Sequence, residues 1–134
     1  MSACVLDSDV VIAGLDRRDA HHADAVAAIK ALAGSDVTLL ISAVNYAEVL
    51  VRPAADADTL RTAVDAIAAL GIRTAPATQA LAVDAARFRA RGVSLPDGFA
   101  LATAASRSAV LATFDARVRK VMGEAGVSAP PVLG

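Results

Sequence analysis

The 134-residue chain has no tryptophan, one tyrosine and three phenylalanines. So few rings argue against the aromatic platform on which passive single-strand binders stack bases. Positive charge is not in excess either. Thirteen basic residues face 14 acidic ones, for a net charge of −1, whereas passive nucleic-acid-binding modules are strongly basic. A nuclease is not excluded in the same way, because a bound metal ion supplies positive charge locally. Lysine is confined to Lys30 and Lys120, and the other eleven basic residues are arginines, which suit bidentate phosphate contacts. The lone Cys4 lies in an apolar run. It has no internal disulfide partner, is compatible with a reducing compartment, and reads as a small buried hydrophobe. No apolar run approaches the ~20 residues needed to span a bilayer. Asp7 and Asp9 interrupt the N-terminal apolar stretch, which therefore does not read as a signal peptide. A soluble cytoplasmic protein is the expectation.

What is present is apolar surface, 56% of residues, above the roughly 45–50% of ordinary soluble domains. Much of it is alanine, a strong helix former. The length fits a single domain over residues 1–134. Short apolar runs at 3–6, 37–41, 72–75 and 109–113 read as strands, with a fifth short one near 127–128. Between them, helical patterns run over 10–15, 21–33, 42–52, 58–70, 78–91, 97–107 and 116–124, several bounded by Ser, Pro or Gly at the positions that start and stop helices. The inner faces are expected at Val26, Ile29 and Leu32, at Val44, Ala47 and Val51, and at Leu60, Val64 and Ile67. Alternation of this kind predicts an α/β fold, a three-layer α/β/α sandwich around a mostly parallel sheet.

Four acidic residues stand where apolar chain stops or should continue. Asp7 ends the first predicted strand and Asp115 follows the last. Glu48 lies inside an apolar helix, at i+4 from Val44, where it points inward or sits at the edge of the core. Asp97 follows Leu95-Pro96 and opens a helix, where an ordinary N-cap role also fits. A carboxylate beside buried apolar surface costs several kcal/mol, in order of magnitude, unless compensated. Sites in open α/β sheets form beyond the carboxyl ends of the strands. Neighbouring strand ends lie ~5 Å apart, so Asp7 and Asp115 can share one cation. Hard ions such as Mg²⁺ or Mn²⁺ take oxygen ligands of this kind.

The ordered set resembles the PIN-domain family, and within it the VapC-type toxin branch. The matching segments are Val5-Leu6-Asp7-Ser8-Asp9-Val10, Tyr46-Ala47-Glu48-Val49-Leu50, Leu95-Pro96-Asp97-Gly98-Phe99-Ala100 and Leu111-Ala112-Thr113-Phe114-Asp115. The resemblance implies an Mg²⁺- or Mn²⁺-dependent endoribonuclease. It implies a toxin, often a homodimer, held inactive by a small cognate antitoxin. Asp7, Glu48, Asp97 and Asp115 are then the metal-holding, catalytic acids, and Thr113 matches a hydroxyl that the family places near the metal. Two positions depart from the family pattern. Asp9 stands where Ser, Thr or Asn is usual, as a fifth site carboxylate or a first-turn cap of the next helix. Gly98 stands where a larger residue is common, and is expected to loosen the helix start.

The implied chemistry is hydrolysis of RNA by a water, leaving 5′-phosphate and 3′-hydroxyl ends. Arg107, Arg117, Arg119 and Lys120 flank the last two acids and are candidates for holding the RNA backbone, or else form a solvated helix face. His21 and His22 have no third zinc-type ligand at suitable spacing. The main competitor is a phosphatase resembling the haloacid dehalogenases, with Asp7 of Asp7-Ser8-Asp9-Val10 as nucleophile. Lys30 comes too early for its lysine, Lys120 too late, and Asp115 has no adjacent acid. A receiver-like signalling domain lacks a well-placed lysine, and a non-catalytic PIN-like binding module would have no use for four intact acids.

Overall fold

The computed structural model describes residues 2–133. The chain runs β1 (Ser2–Leu6), α1 (Ser8–Leu15), α2 (His22–Ala33), β2 (Val37–Ser42), α3 (Ala43–Leu50) and a 3₁₀ turn (Pro53–Ala55). It continues with α4 (Ala57–Ala69), β3 (Arg73–Ala75), α5 (Gln79–Arg89), α6 (Leu95–Ser106), β4 (Val110–Ala112), α7 (Ala116–Ala125) and a second 3₁₀ turn (Pro131–Leu133). Side-chain caps start most of these helices. Ser42 Oγ accepts from Asn45 N at 3.1 Å, Asp56 Oδ2 from Thr59 N at 3.0 Å, Thr78 Oγ1 from Leu81 N at 3.2 Å and Ser94 Oγ from Asp97 N at 3.2 Å. Each satisfies an amide that the first helical turn leaves free. Gly126 ends α7 with φ of 72°, a left-handed conformation that glycine adopts without strain.

The four strands are all parallel, in the order β3-β2-β1-β4. The first three progress in one direction and β4 returns to the other side of β1, so the topological switch point lies between β1 and β4. Strand side chains alternate between two faces. Cys4, Leu6, Leu39, Ile41 and Ala112 join Val10, Val11, Ile29, Val49 and Ile67 in one core. Val5, Leu40 and Leu111 join Leu101, Ala104, Val118, Val121 and Met122 in the other. Helices α1 to α4 thus cover one face and α6 and α7 the second, with α5 packed on α6 through Leu81, Ala85, Phe99 and Ala102. This is the three-layer α/β/α arrangement expected from the alternation of elements. Cys4 is fully buried, and burial pushes its thiol up to about 12, so it acts as a core hydrophobe.

The structure corrects several details. No strand forms at residues 127–128; Ser128 instead accepts a single hydrogen bond from Leu111 N at 2.9 Å alongside β4. The buried residues of α3 are Asn45 and Val49, while Ala47 and Val51 are exposed. The predicted face followed the apolar residues and missed that the polar Asn45 takes the inward position. Helix α6 begins at Leu95, two residues before Asp97, because Ser94 caps it and Pro96 fits the first turn. In α4, Ala63 and Ile67 are the buried pair, with Leu60 and Val64 at the margin. Among the described residues no helix is long and apolar enough to cross a membrane.

Candidate active site

Asp7 follows β1 directly and is 1% exposed. It also caps α1, its Oδ1 accepting from Ser8 N at 2.9 Å. Its Oδ2 accepts from Thr113 Oγ1 at 2.8 Å, from the residue after β4. The pairing of Leu6 with Ala112 puts these two strand ends side by side. Thr113 Oγ1 in turn accepts from Asp115 N at 3.1 Å. Asp115 caps α7, its Oδ1 accepting from Arg117 N at 2.8 Å and Val118 N at 3.2 Å.

Asp9 reaches out of α1 to the same loop. Its Oδ2 accepts from Phe114 N at 3.0 Å, while its buried Oδ1 has no partner. Neither reading of Asp9 from sequence had this bond. Asp7 is the cap of α1, and Asp9 ties that helix to the β4–α7 loop.

Asp97 occupies the third position of α6 and is half-buried. Glu48 is exposed, on the side of α3 next to Asp97 rather than pointing into the core. Their proximity appears in the electrostatics. Burial raises Asp97 above the usual carboxylate range and the Ser94 hydroxyl lowers it. The charges of Asp115 and Glu48 raise it again, and a hydrogen-bonding interaction with Asp7 lowers it. Burial, then the charges of Asp9 and Asp97, push Asp7 up to about 8 against the opposing bonds from Thr113 and Ser8. Asp9 is raised chiefly by burial, with smaller contributions from Asp97 and Asp115. Five carboxylates therefore share one electrostatic environment at the switch point. None has a cationic partner, since the ion pairs among the described residues involve only Asp16, Asp84 and Glu124.

An all-oxygen donor set with unneutralised charge and an orphaned buried oxygen fits a hard divalent cation. Among the described residues no three of these groups close tightly on one point. Part of any coordination shell would come from water, as Mg²⁺ prefers.

The PIN-domain family model matches residues 4–124. The chain belongs to the PIN-domain family. Solved structures with the same fold include VapBC2 from Rickettsia felis bound to a DNA fragment from its promoter, with a TM-score of 0.74 and 11% identity over 96% of this chain and 97% of that one. VapC20 from Mycobacterium tuberculosis, a sarcin-ricin-loop-cleaving toxin, has a TM-score of 0.69 and 18% identity over 88% and 94%. FitAcB from Neisseria gonorrhoeae has a TM-score of 0.67 and 22% identity over 96% and 97%. None of the curated proteins searched matches the sequence. Membership in the PIN family sets aside the phosphatase and receiver readings, whose signature lysines the sequence lacks.

This PIN domain brings together the four acids singled out from sequence, together with Asp9 and Thr113. The basic candidates divide. Arg117 and Lys120 are exposed and line a surface groove of about 230 Å³ with Arg91, Gly92 and Val93. Arg119 is engaged elsewhere. Its guanidinium donates to Thr113 O at 3.2 Å and to the carbonyl of Leu133, clamping the chain end to the strand-end loop. Arg107 lies away from the acids, in a depression with Ser2 and Arg73, the first residues of β1 and β3, at the opposite end of the sheet.

Sequence reasoning missed Asn45, which is fully buried. Its Nδ2 donates to Ser8 Oγ at 2.9 Å, to Pro96 O at 3.1 Å and weakly to Asp7 Oδ1 at 3.5 Å, and its Oδ1 accepts from Ser42 Oγ. One amide thus joins β1–α1, α3 and the start of α6. Its only sequence signal was a polar residue one helical turn before Glu48.

Gly98 does not loosen the helix start. A Cβ there would lie 2.6 Å from Ala85 O, so glycine allows α5 to press against the turn that carries Asp97.

Proposed function

We propose that this protein is a metal-dependent endoribonuclease, the toxin of a toxin–antitoxin pair. The observation that carries the reading is the cluster of Asp7, Asp9, Asp97 and Asp115 at the sheet's switch point, without a cationic partner among the described residues, in which burial and then the neighbouring carboxylate charges raise Asp7, Asp9 and Asp97. Membership in the PIN family supports it, as does the likeness in fold to VapC20, a sarcin-ricin-loop-cleaving toxin, and to VapBC2.

Asp7, Glu48, Asp97 and Asp115 would hold Mg²⁺ or Mn²⁺, directly or through water. A bound cation supplies the charge that offsets the phosphate and acidifies a water for in-line attack. Asp7 is oriented for this by Thr113 and Ser8 N, and Asp115 by the first amides of α7. Thr113 keeps the two at a fixed spacing. Arg117 and Lys120 steer the RNA backbone along their groove toward Asp115. Arg107 and Arg119 have no part in that path.

The antitoxin is assigned to a groove of about 340 Å³ between α1 and α3. Ile12, Leu15, Val49 and Pro53 supply its apolar lining, and Glu48 borders it. A partner seated there with an arginine near Glu48 would pair with the acids. Homodimer formation would cover part of the exposed apolar surface, where Val83 and Leu95 are each 47% exposed. Light scattering at micromolar concentration tests the dimer separately.

The decisive experiment incubates purified protein with total RNA and Mg²⁺ or Mn²⁺, then maps the ends. Cleavage leaving 5′-phosphate and 3′-hydroxyl termini is expected. Asp7→Asn and Asp115→Asn should each lower it by orders of magnitude, because groups that act as a unit fail together. Wild-type-like cleavage by the folded double variant would refute the assignment.

A further inference from the structure

His21 and Phe114 form the principal ring pair of the described structure and lie at the rim of the acidic cluster. Their centroids are 4.4 Å apart and their planes 13° from parallel. Phe114 comes from the loop that holds the site together. It follows Thr113, its N–H is bound by Asp9, and it precedes Asp115 by one residue, about 3.8 Å between Cα atoms. His21 comes from the α1–α2 connection. That turn is set by Asp19, whose Oδ1 accepts from His21 N at 2.8 Å. The Phe114 ring is half-buried against the first core, whereas His21 is exposed and its ring makes no hydrogen bond. The imidazole therefore has one face on Phe114 and the other toward solvent.

We propose that His21, backed by Phe114, is a nucleobase-stacking shelf that receives the base next to the cleaved phosphodiester. The inference rests on the ribonuclease reading above and adds to it the group that positions a base. A single imidazole on a loop is a poor platform. Stacked on a ring anchored in the core, it is held flat and loses little freedom when a base lands on it. Phe114 immediately precedes Asp115, and Arg117 and Lys120, which line the basic groove, follow it in the same segment. The backbone can follow the basic groove while a base turns to the rings. Such stacking tolerates any base, because every base has a π-face. The shelf thus sets where the strand is cut more than which base is chosen.

The test uses a short single-stranded RNA that the wild-type protein cleaves, and a set of versions with one abasic nucleotide at each position around the cleaved bond. His21→Ala is expected to lower kcat/KM on the intact RNA by about tenfold, the size of one lost base stack. One abasic position should cost the wild-type protein a similar factor, and His21→Ala should add nothing further on that RNA. His21→Phe should keep most of the activity. An unchanged melting temperature shows that His21→Ala is folded. Independent, multiplying effects at every abasic position would overturn the shelf, as would wild-type kinetics for His21→Ala. If the wild-type protein cleaves RNA but the coupling is absent, only the shelf fails. If it cleaves no RNA, the ribonuclease reading fails and the shelf with it.

Discussion

Thr113 Oγ1 donates to Asp7 Oδ2 at 2.8 Å across 106 positions of sequence, and the same oxygen accepts the Asp115 amide at 3.1 Å. One hydroxyl therefore fixes the spacing of the two strand-end acids. Thr113→Val keeps the shape and removes both bonds. It should lower the unfolding free energy by about 1–3 kcal/mol, the usual penalty for buried polar groups left unpaired. In a domain of this size that is roughly 4 °C of melting temperature per kcal/mol. Thr113→Ser should recover most of the loss. Thermal melts of the three proteins check this, and equal melting temperatures for Thr113→Val and wild type would contradict it.

Asp7 gives the metal-free protein a pH dependence of definite sign. Its carboxyl is raised from 3.8 to about 8 by burial and by Asp9 and Asp97, so between these values the folded state holds a proton that the unfolded chain has released. Stability is then greatest below the unfolded value and falls as pH rises through about 8. Asp9 and Asp97 are raised as well and act in the same direction. With chelator present, the melting temperature should fall by several degrees between pH 5 and pH 8. Asp7→Asn should flatten that slope, and millimolar Mg²⁺ or Mn²⁺ should reverse much of the loss at pH 8 by binding only the folded state. A metal-free protein more stable at pH 8 than at pH 5 would refute the argument.

Asn45 is the side chain on which three segments of the site converge. Asn45→Ala would leave Pro96 O, Ser8 Oγ and the Ser42 hydroxyl short of partners in a buried space. A loss of about 2–4 kcal/mol is expected, above that of a single hydrogen bond. Asn45→Asp keeps the shape but sets another acid beside Asp7, and should be more damaging at pH 8 than at pH 5. Denaturant unfolding at the two pH values measures both effects.

Gly98→Ala isolates helix packing from helix propensity. Alanine is favoured over glycine within a helix by about 1 kcal/mol, yet its Cβ would meet Ala85 O at 2.6 Å, backbone against side chain. The clash should prevail. Net destabilisation is expected, with reduced RNA cleavage because Asp97 sits in the same turn. A more stable Gly98→Ala protein would show that α5 and α6 are less closely apposed.

The sequence by itself determined the alternation of elements, the parallel sheet and which acids stand where the fold can bring them together at its switch point. Each of these follows from local pattern: apolar runs of strand length, caps such as Ser42 and Ser94, and carboxylates where apolar chain ends. Asp7 and Asp115 were legible because a charge at a strand's carboxyl end has few local explanations. Tertiary structure decided what depends on residues far apart in the chain. It turned Asn45 inward in place of Ala47 and Val51, because Ser8 and Pro96 offer an amide its partners there. It left Glu48 exposed at the cleft, bound Asp9 to Phe114 N across 105 positions, and took Arg119 for Thr113 O and Leu133 O. It also separated Arg107 from the acids, since a residue that ends a helix before a parallel strand arrives at the sheet's amino end. Hydrogen-bond partners and long-range charges depend on which strand ends lie side by side, and only the β3-β2-β1-β4 order specifies that.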